Sequence, residues 1–356
     1  MSRAVAFAAL FAALLAFAAP SDASRGTTGS AGAAYVIVDL GTLGGSTSAA
    51  TAINSSGWVV GYAATSGDTA SHAFLWRHGV MTDLGTLPGG RSSHANAIND
   101  RGQVVGWSDA LVSSPSANAV VAPQAFLYSR GTLTDIDPNT ESSSTPGSWA
   151  YGINNAGQVV GDVLAPSGDV RAFRYGAGSF TTLAIAGDEP QARSINSRGA
   201  IVGSTFVDMS PPFLFAGGAQ QNLGTVRGQA EAINSHGEVA GWTQSMGSPM
   251  HAFRSRGAAM TDLGTLGGPT SQANALNGEG QVVGSSDVAA GVAHAFSYRR
   301  GVMVDLNRLV PADSGWLLEN ATGVNARGEI VGVGSVDGAR HAFLLVPTAL
   351  RSRAND

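Results

Sequence analysis

The chain of 356 residues has no cysteine and no lysine, and only 13% of its residues are charged. Lack of cysteine rules out disulfides, thiolate metal sites and thiol nucleophiles, so burial and backbone pairing must hold the fold. All 20 basic residues are arginine, set against 25 acidic ones for a net charge of −5. The charges are scattered, without the one-sign runs that mark a nucleic-acid or anionic-membrane binder. After the N-terminal segment no stretch is apolar enough to span a bilayer, and none shows helical periodicity.

The N-terminus reads as an export signal. Arg3 precedes an apolar stretch from Ala4 to Ala19, followed by Ser21-Asp22-Ala23. Small residues at Ser21 and Ala23 suit signal peptidase, giving a signal peptide over 1–23 and a flexible linker over 24–34. The stretch is short and alanine-rich for a permanent span of ~20 residues. A secreted protein, extracellular or periplasmic, is therefore expected.

What the sequence has in abundance is repetition. Aligned on Asn54, Asn99, Asn154, Asn196, Asn234, Asn277 and Asn325, it shows seven copies of a unit spaced 38 to 55 residues apart. Each Asn has Gly three and seven residues on, and Ala four residues before. A second anchor is the Phe of "HAF" or its equivalent: Phe74, Phe126, Phe173, Phe213, Phe253, Phe296 and Phe343. "INSSGWVV" and its copies read as strand, tight turn, strand, with Asn bonding the turn backbone and Gly closing it. "HAFLWRHGVMTDLG" reads as a second hairpin, so each unit supplies four short strands.

Spacing predicts how the strands assemble. The Asn-to-Gly interval is seven in every unit, and the interval from the Phe to the "DL" position is nine in the six uninterrupted units. The two other intervals vary, from 10 to 20 and from 12 to 20 residues. In an up-and-down sheet the constant turns share one face and the variable loops share the other, where binding is usually found. The chain opens on a lone fourth strand, "YVIVDLG" (35–41), and ends on a third strand, "HAFLLVP" (341–347), that lacks a fourth. Joining them closes an all-β, seven-bladed β-propeller over 35–347, with a tail over 348–356. A β-solenoid is the rival, but it has no reason to divide a hairpin between its ends.

The combination of "HAF", "DLGTLGG", "AxAIN" and "GQVVG" resembles the HAF-repeat family of extracellular repeat proteins, from Tyr35 to about Pro347. The resemblance implies an exported repeat protein and supplies no catalytic residues. Blades 3 and 4 depart from it, with "RAF" and "PPF" in place of "HAF".

The HAF histidines His72, His251, His294 and His341 belong to separate blades and cannot form one metal shell. Each is matched by an aspartate in the "DL" position (Asp83, Asp262, Asp305 and, through ring closure, Asp39), which predicts structural pairs. The seven Asn and the repeat Gly and Ala are likewise structural. Trp58, Trp107 and Trp242 are assigned to packing between blades. Variable residues three and five before each Asn fall on the innermost strand, on one side of it and towards the variable-loop mouth. Of these, His94, Trp149, Tyr151, Arg193 and Glu231 form the candidate ligand-binding set, reinforced by the long segments Leu111 to Pro123 and Pro138 to Ser148. The expected role is a monomeric binding scaffold for a glycan, peptide or protein, with no cofactor, metal or nucleic acid. Two alternatives are a channel-mouth polysaccharide lyase or hydrolase and a structural cell-surface protein.

Overall fold

The computed structural model describes residues 33–351 apart from 115–116, 138–146, 166, 206–209, 258 and 290. The expected signal peptide, nearly all of the expected linker, residues 138–146 of the second long segment and the end of the tail lie outside the described residues. Thr348–Arg351 form a short helix.

Seven four-stranded antiparallel sheets make a seven-bladed β-propeller. The inner strands are Gly44–Ile53, Ser93–Ile98, Ser148–Ile153, Gln191–Ile195, Arg227–Ile233, Ser271–Leu276 and Trp316–Val324, defining blades 1 to 7. Blade 7 is completed by both ends of the chain: Tyr35–Asp39 pairs with Ala339–Pro347, from Tyr35↔Pro347 to Asp39↔Phe343. The closing strand is two residues shorter than the 35–41 expected, because Gly41 turns away at φ 75° and donates to Asp39 Oδ1 at 2.8 Å. Leu111 to Pro123 is largely strand rather than loop: Val104–Ser114 and Ala117–Ser129 form an extended hairpin in which Leu111 faces Val121.

The core is divided into wedges between blades. Leu344, Ala342 and Val331 of blade 7, for instance, pack with Ala50, Val59 and Phe74 of blade 1. The seven anchor Phe residues are at most 1% exposed, one per blade. Each repeat Asn does two jobs. Its Oδ1 accepts from the turn backbone, as Asn54 does from Ser56 and Trp58. Its Nδ2 donates to the backbone oxygen of the next repeat Asn, and Asn325 donates to Asn54 at 3.1 Å to finish the circle. A buried girdle of seven bonds thus ties the blades together on the constant-turn face. A buried amide so satisfied is stabilising, whereas one left unpaired is costly.

The inner strands share a further device. Pairing with the second strand slips by one residue after the repeat Ala in every blade, so the next residue is a β-bulge. The bulge presses the carbonyl of the residue before that Ala onto the second repeat Gly. A Cβ at Gly61, Gly106, Gly161, Gly203, Gly241, Gly284 or Gly332 would lie 1.8–2.0 Å from that oxygen. Close approach, not a positive φ, therefore demands glycine there.

Candidate functional site

The bulged residues are Thr51, Asn96, Tyr151, Arg193, Glu231, Asn274 and Thr322, the row three before each Asn. Simple alternation places this row beside the row five before each Asn, at the mouth. The bulge interrupts that alternation midway along the strand and turns the side chain towards the next blade. In blades 1, 2, 6 and 7 it donates to the next blade's repeat Ala carbonyl: Thr51 to Ala95, Asn96 to Ala150, Asn274 to Ala321 and Thr322 to Ala50, at 2.8–2.9 Å.

Blades 3 to 5 fill the same position with side chains that bind one another. The Arg193 guanidinium carbon lies 4.5 Å over the Tyr151 ring, and Arg193 Nε donates to Glu231 Oε2 at 3.2 Å. The Arg193 and Glu231 side chains are only 19% and 12% exposed. Burial opposes the Arg193 charge, but Glu231, Tyr151 and Asp162 together hold its pKa above the ordinary value.

Asp162 completes this cluster and does not stand out in the sequence. It sits directly after a repeat Gly on the second strand and pairs across the hairpin with Trp149. It is 3% exposed, and its Oδ1 has no hydrogen-bond partner among the described residues. Burial pushes its carboxyl up to about 7, against the pull of the Tyr151 hydroxyl and of Arg193. Burial likewise holds the Tyr151 phenol well above its usual range, with Asp162 adding to the effect. The available signal is the position itself: after the second repeat Gly stand Tyr62, Trp107, Asp162, Ser204, Trp242, Ser285 and Val333, as varied a row as the two considered.

His94 lies apart from that cluster. It is stacked between Tyr62 of blade 1 and Trp107 of its own blade, at 4.0 and 4.5 Å between ring centroids. Burial lowers its pKa to about 4, so the imidazole is neutral at physiological pH. Trp107 thus belongs to this stack, whereas Trp58 packs against blade 2 as expected, over its turn Gly102. Trp149 lies against Gly147 and near Pro123. The structure therefore joins Tyr151, Arg193 and Glu231, with Trp149 linked to them by its pairing with Asp162.

The four HAF histidines pair through Nδ1 with Asp83, Asp262, Asp305 and Asp39, at 2.8–2.9 Å. Among the described residues no group of three or more His, Asp or Glu is placed to hold a metal ion. No helix among them is long and apolar enough to cross a membrane.

Residues 44–211, just under half of the chain, match a family described only as a protein of unknown function (DUF3466). No curated protein sequence matches the chain. Solved structures similar to it have low identity. A puromycin-hydrolyzing peptidase of Mycobacterium tuberculosis is 12% identical with a TM-score of 0.50, over 78% of this chain and 47% of its own. The β-propeller domain of the trilobed protease of Pyrococcus furiosus is 9% identical with a TM-score of 0.46, over 84% and 95%. AofleA from Arthrobotrys oligospora is 11% identical with a TM-score of 0.41, over 76% and 87%. At these identities the likeness concerns the fold alone.

Proposed function

We propose that this protein is an exported binding scaffold of the HAF-repeat kind, whose partner docks on the inner arc of blades 2 to 5. One observation carries the reading. Thr and Asn at the bulge meet the structural need of four blades by bonding the next blade's carbonyl. Blades 3 to 5 place Tyr151, Arg193 and Glu231 there instead, and beside them a largely buried acid. Burying charges is a weak route to stability, since desolvation offsets much of the attraction. Polar groups gathered on the inner wall of a rigid ring suit recognition.

The test is differential. Glycan, peptide and protein probes are screened for binding to the mature chain, and each hit is repeated on two sets of variants. Trp149→Ala and Glu231→Gln are expected to weaken binding by about 1–2 kcal/mol if either is a hot spot. Ser235→Ala and Arg327→Ala, in turns of the opposite face, are expected to leave it unchanged. Loss confined to the turn variants would refute the assignment. Turnover of a bound probe would favour the lyase or hydrolase reading over the scaffold.

A further inference from the structure

We propose, resting on that reading of the arc, that the ligand is a neutral oligosaccharide, held by the row of inner-strand side chains His94, Trp149, Gln191 and Gln229. The one cation of the cluster already has its counter-charge. Arg193 is paired to Glu231 at 3.2 Å and packs over Tyr151. An anionic ligand therefore finds the cation taken, and a cationic one finds the Tyr151 face occupied.

What remains open in the arc is uncharged and two-sided. The side-chain amides of Gln191 and Gln229 are half-buried and make no hydrogen bond among the described residues. His94 has both ring faces covered by Tyr62 and Trp107, and its ring nitrogens have no protein partner among the described residues. A neutral amide or imidazole offers both a donor and an acceptor. A sugar hydroxyl is the ligand group that uses both. Behind this row, Asp162 Oδ1 is a further buried acceptor without a partner among the described residues.

The same arc supplies apolar faces. Trp149 is half-buried on the inner strand of blade 3, and Trp242 pairs across the hairpin with Gln229 in blade 5. A pyranose ring has a C–H face and a rim of hydroxyls, matching an indole set beside amides. Peptides that add a strand to a sheet edge, or acidic motifs read by arginine clusters, need features that this row does not provide.

Calorimetric titration of the mature chain with neutral gluco-, manno- and N-acetylglucosamine oligomers, an oligogalacturonide and a short oligolysine tests the proposal. At least one neutral oligomer is expected to bind, more tightly than either charged one. The double variant Gln191→Ala/Gln229→Ala, whose amides bond nothing among the described residues, is expected to weaken that binding about tenfold or more. Trp149→Ala is expected to do the same, with its melting temperature checked in parallel. Tighter binding of a charged oligomer that Trp149→Ala abolishes would overturn the sugar while leaving the arc as the site. Neutral binding that neither variant weakens would overturn both. Failure of every neutral oligomer to bind at millimolar concentration would overturn the sugar alone.

Discussion

Blades 6, 7, 1 and 2 and blades 3, 4 and 5 place the same bulge on the same strand and put different chemistry on it. In the first group a Thr or Asn stitches each blade to the next through a backbone carbonyl. In the second, Tyr151, Arg193 and Glu231 form a charged chain across three blades. The backbone device does not depend on the side chain, so sequence there is free to change without loss of the ring. Closure rests on the Asn girdle and on the wedges of Phe, Val and Ala, which run through both groups. The divergent arc is thus an addition to a scaffold that is complete without it.

The largest expected effect tests whether the scaffold is shared. Gly203→Ala in blade 4 and Gly284→Ala in blade 6 each drive a Cβ to within 1.8–1.9 Å of a carbonyl oxygen. Either change is expected to cost about 3 kcal/mol or more in urea denaturation, as overpacking against backbone does. Equal losses would show one bulge geometry in both arcs. A harmless substitution in one arc would break the comparison.

Much of this scaffold is legible in the sequence. The constant intervals around Asn and Phe set the hairpins, and the split hairpin at the termini implies ring closure. The His–Asp pairs follow from register, including His341 with Asp39 across 302 residues. The bulge is not legible, because alternation is the default for a strand and one extra residue leaves no mark on periodicity. For that reason alternation sets Tyr151, Arg193 and Glu231 beside His94 at the mouth, although they lie lower and face the next blade. Asp162 escapes notice because it follows a repeated "VVG" and reads as a strand residue. Its cross-strand pairing with Trp149 and its interaction with Tyr151 and Arg193 bring it to the cluster.

The charged chain is expected to behave unlike the stitches. Arg193→Met alone strands Glu231 in a nearly buried position. It should cost about 2–4 kcal/mol, less than a fully buried pair because some exposure remains. Arg193→Met/Glu231→Leu removes both charges and should recover most of that loss, or exceed wild type. Paired urea titrations decide the matter. A double variant as unstable as the single one would mean that the charges hold the ring and are no addition to it.

Asp162 should show itself through pH. Its folded carboxyl titrates near 7, above the ~3.9 of the unfolded chain, so the fold retains a proton that the unfolded state has released. Its contribution therefore falls as pH rises from about 4 to about 7 and is most unfavourable above 7. His94 works in the opposite direction. With a folded pKa of about 4, it lowers stability as pH falls below ~6.5. Asp162→Asn is expected to remove the first slope and stabilise the protein at pH 8 by on the order of 2–3 kcal/mol. At pH 4 it should change little. Thermal melts across pH that keep the wild-type slope in Asp162→Asn would show that this carboxyl stays ionised in the fold.

The smallest effect belongs to the regular arc and sharpens the contrast. Thr322 Oγ1 donates to Ala50 O at 2.8 Å across the seam where blade 7 meets blade 1. Val331 O lies 3.3 Å from the same hydroxyl. Thr322→Val keeps the shape and deletes the donor, leaving Ala50 O without this bond. A lost neutral hydrogen bond of this kind costs about 1 kcal/mol. The seam retains the Asn325–Asn54 bond and the Phe74 and Val331 wedge, so the ring should still close. Urea denaturation with an unchanged slope and a slightly lower midpoint is the expected outcome. If Thr322→Val proved as damaging as Arg193→Met, the stitches would be as critical as the charges. The division of the ring into a structural arc and an added one would then fail.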